Sequence, residues 1–153
     1  MANPDLGELL TPQHIFLDMH AEDRFSLIRR ICENLNSDPV VRNAETLAEA
    51  AITREEEMST GIENGVALPH ARTNAVTHLL LAFVRPERPL DFSAPDSQPV
   101  DLVFFSAVPP RCVDEYLKLT ASIVRLLQKP GVVDGLRAAD TPEAVRSCLG
   151  MSG

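Results

Sequence analysis

Apolar positions along the chain switch between a period of three to four residues and short alternating or continuous runs, which predicts helices interleaved with strands. Leu6, Leu9 and Leu10 predict a short helix before Pro12, and Ile15, Leu17 and Met19 then alternate like a half-buried strand near residues 14–19. Between Glu22 and Leu35, the residues Phe25, Ile28, Ile31, Cys32 and Leu35 share one face of a long helix. The polar stretch Asn36, Ser37, Asp38, Pro39 breaks it, and Leu47, Ala48, Ala51 and Ile52 define a second helix ending near Glu57. A loop from Met58 to Pro69 follows, containing Gly61 and Gly65 and closing on the short apolar strand of GVALPH. The runs Leu79 to Val84 and Val100 to Ala107 lack alternation, as expected of strands covered on both faces. Between them, RPERPLDFSAPDSQP reads as a proline-rich, exposed loop.

The C-terminal third is helical in pattern. Leu117, Ile123, Val124, Leu126 and Leu127 form the apolar part of a helix from Val113 to Gln128, which Pro130 and Gly131 end. A short helix over Gly131 to Ala138 follows, and Thr141, Pro142 and Glu143 start the last one with a hydroxyl cap and a proline in the first turn. This order predicts an α/β domain. At 153 residues, one domain spanning 1–153 is expected, with no repeat and no low-complexity segment.

Charge narrows the partners. Twenty-two acidic residues against fourteen Lys and Arg leave a net charge of -8, a field that repels nucleic acid and anionic lipid surfaces. A few oriented donors can still bind phosphate inside an acidic protein. Cys32, Cys112 and Cys148 are odd in number and widely spaced, so buried thiols in a reducing compartment are expected. No apolar run approaches the ~20 residues of a membrane span, and the opening MANPDLGELLTPQ has no basic segment leading into an apolar stretch. The expectation is a cytoplasmic protein with no membrane insertion.

Candidate chemistry gathers in the 54–73 segment. His70 follows a strand and a proline, and imidazole titrates near neutrality, so a ring nitrogen could attack phosphorus without a separate base. Alone, it reads sooner as a hydrogen-bonded loop residue, because a lone histidine after a strand is more often that than a catalyst. Arg54 could stabilise phosphoryl oxygens with its planar fork, or pair with Glu55, Glu56 or Glu57 as a helix-end cation. The acidic run itself reads as a solvated face without chemistry. Ser59, Thr60 and Gly61 could donate hydrogen bonds to phosphate, although Ser-Thr-Gly is also ordinary turn composition. His14, His20, His70 and His78 lack metal-ligand spacing, and no P-loop motif is present, so neither a metal nor a nucleotide is expected.

Taken together, REEEMSTGIENGVALPHART, from Arg54 to Thr73, resembles the signature of the fructose- and mannitol-type enzyme IIA family of the bacterial phosphotransferase system. The likeness extends to LLTPQHIFLDMHAEDRFSLI before it, and to LDFSAPDSQPVDLVFFSAVPP and DEYLKLTASIVRLL after it. The resemblance implies a three-layer sandwich with helices on both faces of a mixed sheet. It implies a phosphocarrier that takes a phosphoryl group on His70 from an HPr-like carrier, with Arg54 assisting and Ser59, Thr60 and Gly61 at the phosphate, and with no cofactor. A free-standing chain of this length most resembles the nitrogen-related branch, which regulates other proteins. The alternatives are a sugar-transport enzyme IIA passing phosphate to a IIB domain, and a non-catalytic interaction module. One position departs from the pattern: where many members carry a second histidine, DEYL places Tyr116, whose hydroxyl could take part of that role at the phosphate, or whose ring could serve packing on the helix.

Overall fold

The computed structural model describes residues 5–151. Residues 1–4 and 152–153 of the expected domain lie outside the described residues. A short helix α1 (Leu6–Leu9) leads into strand β1 (Ile15–Met19), followed by helices α2 (Arg24–Leu35) and α3 (Ala44–Glu57). Strands β2 (Val66–Ala67), β3 (His70–Arg72), β4 (Leu80–Pro86) and β5 (Leu102–Val108) come next, then helices α4 (Val113–Leu127), α5 (Val132–Ala138) and α6 (Pro142–Cys148). Local chemistry sets the helix starts. Asp23 and Ser26 form a reciprocal capping box on α2, Asn43 caps α3, and the Thr141 hydroxyl accepts from Ala144 N on α6.

The sheet is mixed, in the order β1-β4-β5-β2, with β3 also paired to β5. β1 runs parallel to β4, β4 antiparallel to β5, and β2 and β3 both parallel to β5. Alternate residues of the two central strands enter separate cores. Leu80, Ala82, Val84, Val103, Phe105 and Ala107 pack against α2 and α3. Leu81, Phe83, Leu102 and Phe104 pack against α4, α5 and α6. The absence of alternation in the sequence follows directly, because both faces are apolar and buried. Phe83 and Phe104 face each other across the antiparallel pair with ring centroids 5.1 Å apart. This is the three-layer α/β sandwich expected from the resemblance. Among the described residues, no helix is long and apolar enough to cross a membrane.

Four local expectations are corrected. Ile15 and Leu17 join the core on the α4–α6 side, but Met19 joins the opposite one. Asp18 has φ 57 and the β1 register shifts there, which turns the following side chain to the other face. In α2, Phe25 is only half-buried, with the Arg24 guanidinium 4.7 Å above its ring, and Leu27 takes the core position. The proline-rich loop is not wholly exposed: Leu90, Phe92 and Ala94 are buried, and a bridge joins Leu90 to Val100. In α4, Leu119 and Ile123 are buried, whereas Leu117 is 58% exposed. Of the cysteines, Cys32 is buried and its thiol is pushed up to about 12 by burial, while Cys112 and Cys148 are half-buried; all three are free.

Candidate active site

The site sits where the sheet's edge strand is interrupted. β2 and β3 pair end to end along β5, and Pro69 separates them, since it has no N–H for the ladder. Its carbonyl still accepts from Ser106 N at 3.1 Å. The outer side of β2 is covered by the returning loop, through Ile62 N to Val66 O at 2.8 Å and Leu68 N to Thr60 O at 3.0 Å. Asn64 (φ 63) and Gly65 (φ 77) make the turn between these segments. The positive φ at 65 favours glycine, and a Cβ there would also crowd Asp101 Oδ1 at 2.9 Å and Arg137 Nη2 at 2.5 Å.

His70 opens β3, where Ala71 points into the α2/α3 core, so His70 and Arg72 share the other side of the strand. Both line an open groove of about 700 Å³. From α3 the groove receives Arg54, Glu49 and Glu57, and from α4 it receives Tyr116 and Leu117. The imidazole is half-buried, and its centroid is 5.0 Å from that of the Tyr116 ring at an interplanar angle of 35°. His70 Nδ1 lies 3.3 Å from the Leu68 carbonyl oxygen. A carbonyl only accepts, so this contact puts the ring proton on Nδ1 and leaves the lone pair on Nε2.

Burial is the largest influence on His70 ionisation and pulls it below the ordinary value of 6.5. The bond to the Leu68 carbonyl pushes the other way, the Arg54 charge lowers it further and Glu55 raises it. The ring is therefore neutral and nucleophilic at neutral pH. The unfolded chain takes up this proton near pH 6.5, the folded chain only at lower pH. His70 thus adds stability that is complete above that value and is lost as the pH falls through it towards the folded one. Between about pH 7 and about pH 5, the melting temperature of the wild type should fall further than that of His70→Ala. Parallel thermal melts check this, and identical pH slopes would contradict it.

Arg54 stands in the last turn of α3, and its Nη1 donates to the Met58 carbonyl at 2.8 Å, closing the helix end. It is not engaged with the neighbouring glutamates in the way a simple helix-end ion pair would be. Burial pushes the Tyr116 hydroxyl above its usual range, while Thr120 and Arg54 act in the opposite sense. The groove thus brings together His70, Arg54 and Tyr116.

It does not bring in Ser59, Thr60 and Gly61. The Ser59 hydroxyl donates to the Phe92 carbonyl and accepts from Gly61 N at 3.0 Å. Thr60 is buried and spends both its N–H and its hydroxyl on Glu55. At Gly61 a Cβ would come within 3.0 Å of Ala94 Cβ, so glycine here serves close packing of the loop. None of the three is among the groove-lining residues.

Two residues near the site were not singled out by the sequence. Arg72 lies two positions from His70 on a strand, and the period of two was its signal. Glu55, read as part of a solvated acidic face, is 1% exposed. It continues the buried stripe Leu47, Ala48, Ala51 of α3 at helical spacing, so position gave the signal and residue type hid it.

The chain is 34% identical over 146 residues to a nitrogen regulatory protein of Bradyrhizobium diazoefficiens, covering 95% of both chains. It is 32% identical over 140 residues to that of Pseudomonas aeruginosa, covering 92% of this chain and 91% of the other. A fructose-specific EIIABC component of Bacillus subtilis is 29% identical over 92% of this chain, which spans 22% of that longer protein. Among solved structures, the nitrogen regulatory protein IIA-Ntr of Neisseria meningitidis superposes with a TM-score of 0.87 at 30% identity, covering 94% of this chain and 98% of that one. The family model for the phosphoenolpyruvate-dependent sugar phosphotransferase system, EIIA 2, matches residues 8–150, and with a fold and sequence alike over nearly its whole length the chain belongs to this family.

Proposed function

We propose that this chain is a single-domain, cytoplasmic phosphocarrier in which Nε2 of His70 accepts a phosphoryl group from the phosphohistidine of an HPr-like carrier. The observation that carries this reading is the half-buried His70, its Nδ1 tied to the Leu68 carbonyl and its Nε2 left to a groove lined by Arg54. In the transfer, the Nε2 lone pair forms the new P–N bond as the donor's P–N bond breaks and its electron pair returns to the donor ring. The transition state is loose and anionic, so positioning and charge stabilisation supply most of the acceleration. Arg54 stabilises the equatorial oxygens from the groove. Ser59, Thr60 and Gly61 support the loop, and any share they take in phosphate binding requires them to leave their present partners.

Nitrogen-related regulation is the favoured branch, supported by relatives that match this chain end to end under that name. Partner proteins would then distinguish the phosphorylated from the unphosphorylated form. The relative with fructose specificity supports a second reading, in which the phosphoryl group passes on to a IIB domain. Incubation with phosphoenolpyruvate, enzyme I and the HPr-like carrier tests the main reading. One acid-labile, base-stable phosphoryl group on His70 is expected, and a label elsewhere would refute the site. Transfer from the labelled protein to a IIB domain would decide for the second branch.

Tyr116 enters the same reaction. Its ring lines the groove beside His70, where a phenolic O–H can donate to a phosphoryl oxygen. Tyr116→Phe should therefore slow transfer roughly tenfold, about 1.4 kcal/mol, and leave the fold intact. An unchanged rate in a well-folded protein would reduce Tyr116 to a ring packed against His70.

A further inference from the structure

A buried carboxylate beside a site that receives an anion calls for an explanation, because burying charge is costly without partners. Glu55 is fixed at both oxygens: Thr60 N donates to Oε2 at 3.0 Å, and the Thr60 hydroxyl donates to Oε1 at 2.5 Å. Arg24 Nε approaches Oε2 at 3.6 Å from α2. Thr60 in turn accepts from Leu68 N at 3.0 Å, and the Leu68 carbonyl is the group that faces His70 Nδ1. Glu55, Thr60, Leu68 and His70 therefore form one continuous chain of hydrogen bonds, from the end of α3 to the nucleophile. Within each intermediate residue the N–H and C=O belong to different peptide groups, so the chain acts mechanically, by holding position. Glu55 also follows Arg54 directly in sequence, so the same helix turn places the groove's guanidinium and anchors the histidine loop.

We propose that Glu55 is the positioning residue of phosphoryl transfer in this protein: through Thr60 and Leu68 it holds the carbonyl that fixes the His70 ring with Nε2 towards the groove. This rests on the phosphocarrier reading of His70. The charge has a second effect. When Nε2 takes the phosphoryl group and Nδ1 keeps its proton, the ring becomes positively charged, and a buried carboxylate nearby favours that state. The other charged or titratable groups around His70 are Glu49, Arg54 and Glu57 from α3, Arg72 from β3 and Tyr116 from α4. Of the two influences attributed to α3, Arg54 opposes protonation of the ring and Glu55 favours it.

The test is Glu55→Gln in the full chain, read by ring-nitrogen NMR of His70 across pH and by transfer from the HPr-like carrier at saturation. The amide retains shape and can still accept from Thr60 N, but the charge is gone. The expected result is a His70 titration moved to lower pH, a larger share of the tautomer with its proton on Nε2, and transfer slowed about tenfold with the KM for the carrier little changed. Wild-type nitrogen spectra in a folded Glu55→Gln protein would overturn the proposal. So would altered spectra with a wild-type rate, since Glu55 would then hold the ring without consequence for transfer. If Glu55→Gln does not fold, Thr60→Val removes only the hydroxyl donor, and the same tautomer change and slower transfer are required of it. A wild-type chain that takes no phosphoryl group would refute the phosphocarrier reading and the transfer role together, while the nitrogen spectra would still show whether Glu55 fixes the ring.

Discussion

His70→Ala is expected to take no phosphoryl group from the HPr-like carrier, under conditions in which the wild type is fully labelled. The groove holds no second imidazole among its lining residues. Tyr116 is held as a phenol by burial, and Glu55 has both oxygens occupied by Thr60. The fold should survive, because position 70 is half-buried at the start of a three-residue edge strand and alanine keeps its backbone pairing to Ser106. The Leu68 carbonyl loses its ring partner, but the residue is only half-buried and water can replace the lost donor. The informative measurement is intact mass after incubation, beside a thermal melt at neutral pH. Labelling of a folded His70→Ala protein would move the acceptor elsewhere.

Arg54→Lys is expected to slow transfer by about tenfold to a hundredfold at saturating carrier. Lysine keeps the charge but loses the planar pair of donors, so a single ammonium would have to serve both the Met58 carbonyl and the phosphoryl oxygens. The two functions can be told apart. Loss of the contact at the helix end should cost on the order of 1 kcal/mol of stability, whereas loss of the fork shows in the rate constant of transfer. Equal transfer rates in the two proteins, with a lowered melting temperature, would leave Arg54 as a helix-end group and nothing more.

Much of the framework was legible in the residues because burial acts on patterns. The unbroken apolar runs of β4 and β5 reveal two covered faces, and the cap at Thr141 marks a helix start by chemistry alone. What stayed hidden depends on contacts between distant segments. Met19 changes face because Asp18 takes a left-handed conformation, which nothing in its immediate neighbours announces. Leu117 looks like a core residue until the groove beside His70 is seen to need that face of α4 open. At the site, the order Arg54, Ser59, Thr60, Gly61, His70 shows which residues are close in the chain, but not which donors are free. Ser59 is taken by Phe92, 33 positions away, and Thr60 by a glutamate whose charge argues for solvent and whose helical position argues for the core.

The break at Pro69 has a bearing on solubility. An exposed sheet edge is a template for strands of other chains, and a carrier that exposes its edge to partners carries that hazard permanently. Here the edge is cut into pieces of two and three residues, one shielded by the returning loop, and the cut falls at Pro69, whose carbonyl faces β5. Such short pieces offer another copy little continuous ladder to pair with. A residue with an N–H at position 69 would add a donor towards β5, joining the two pieces into one longer strand and a longer template for intermolecular pairing.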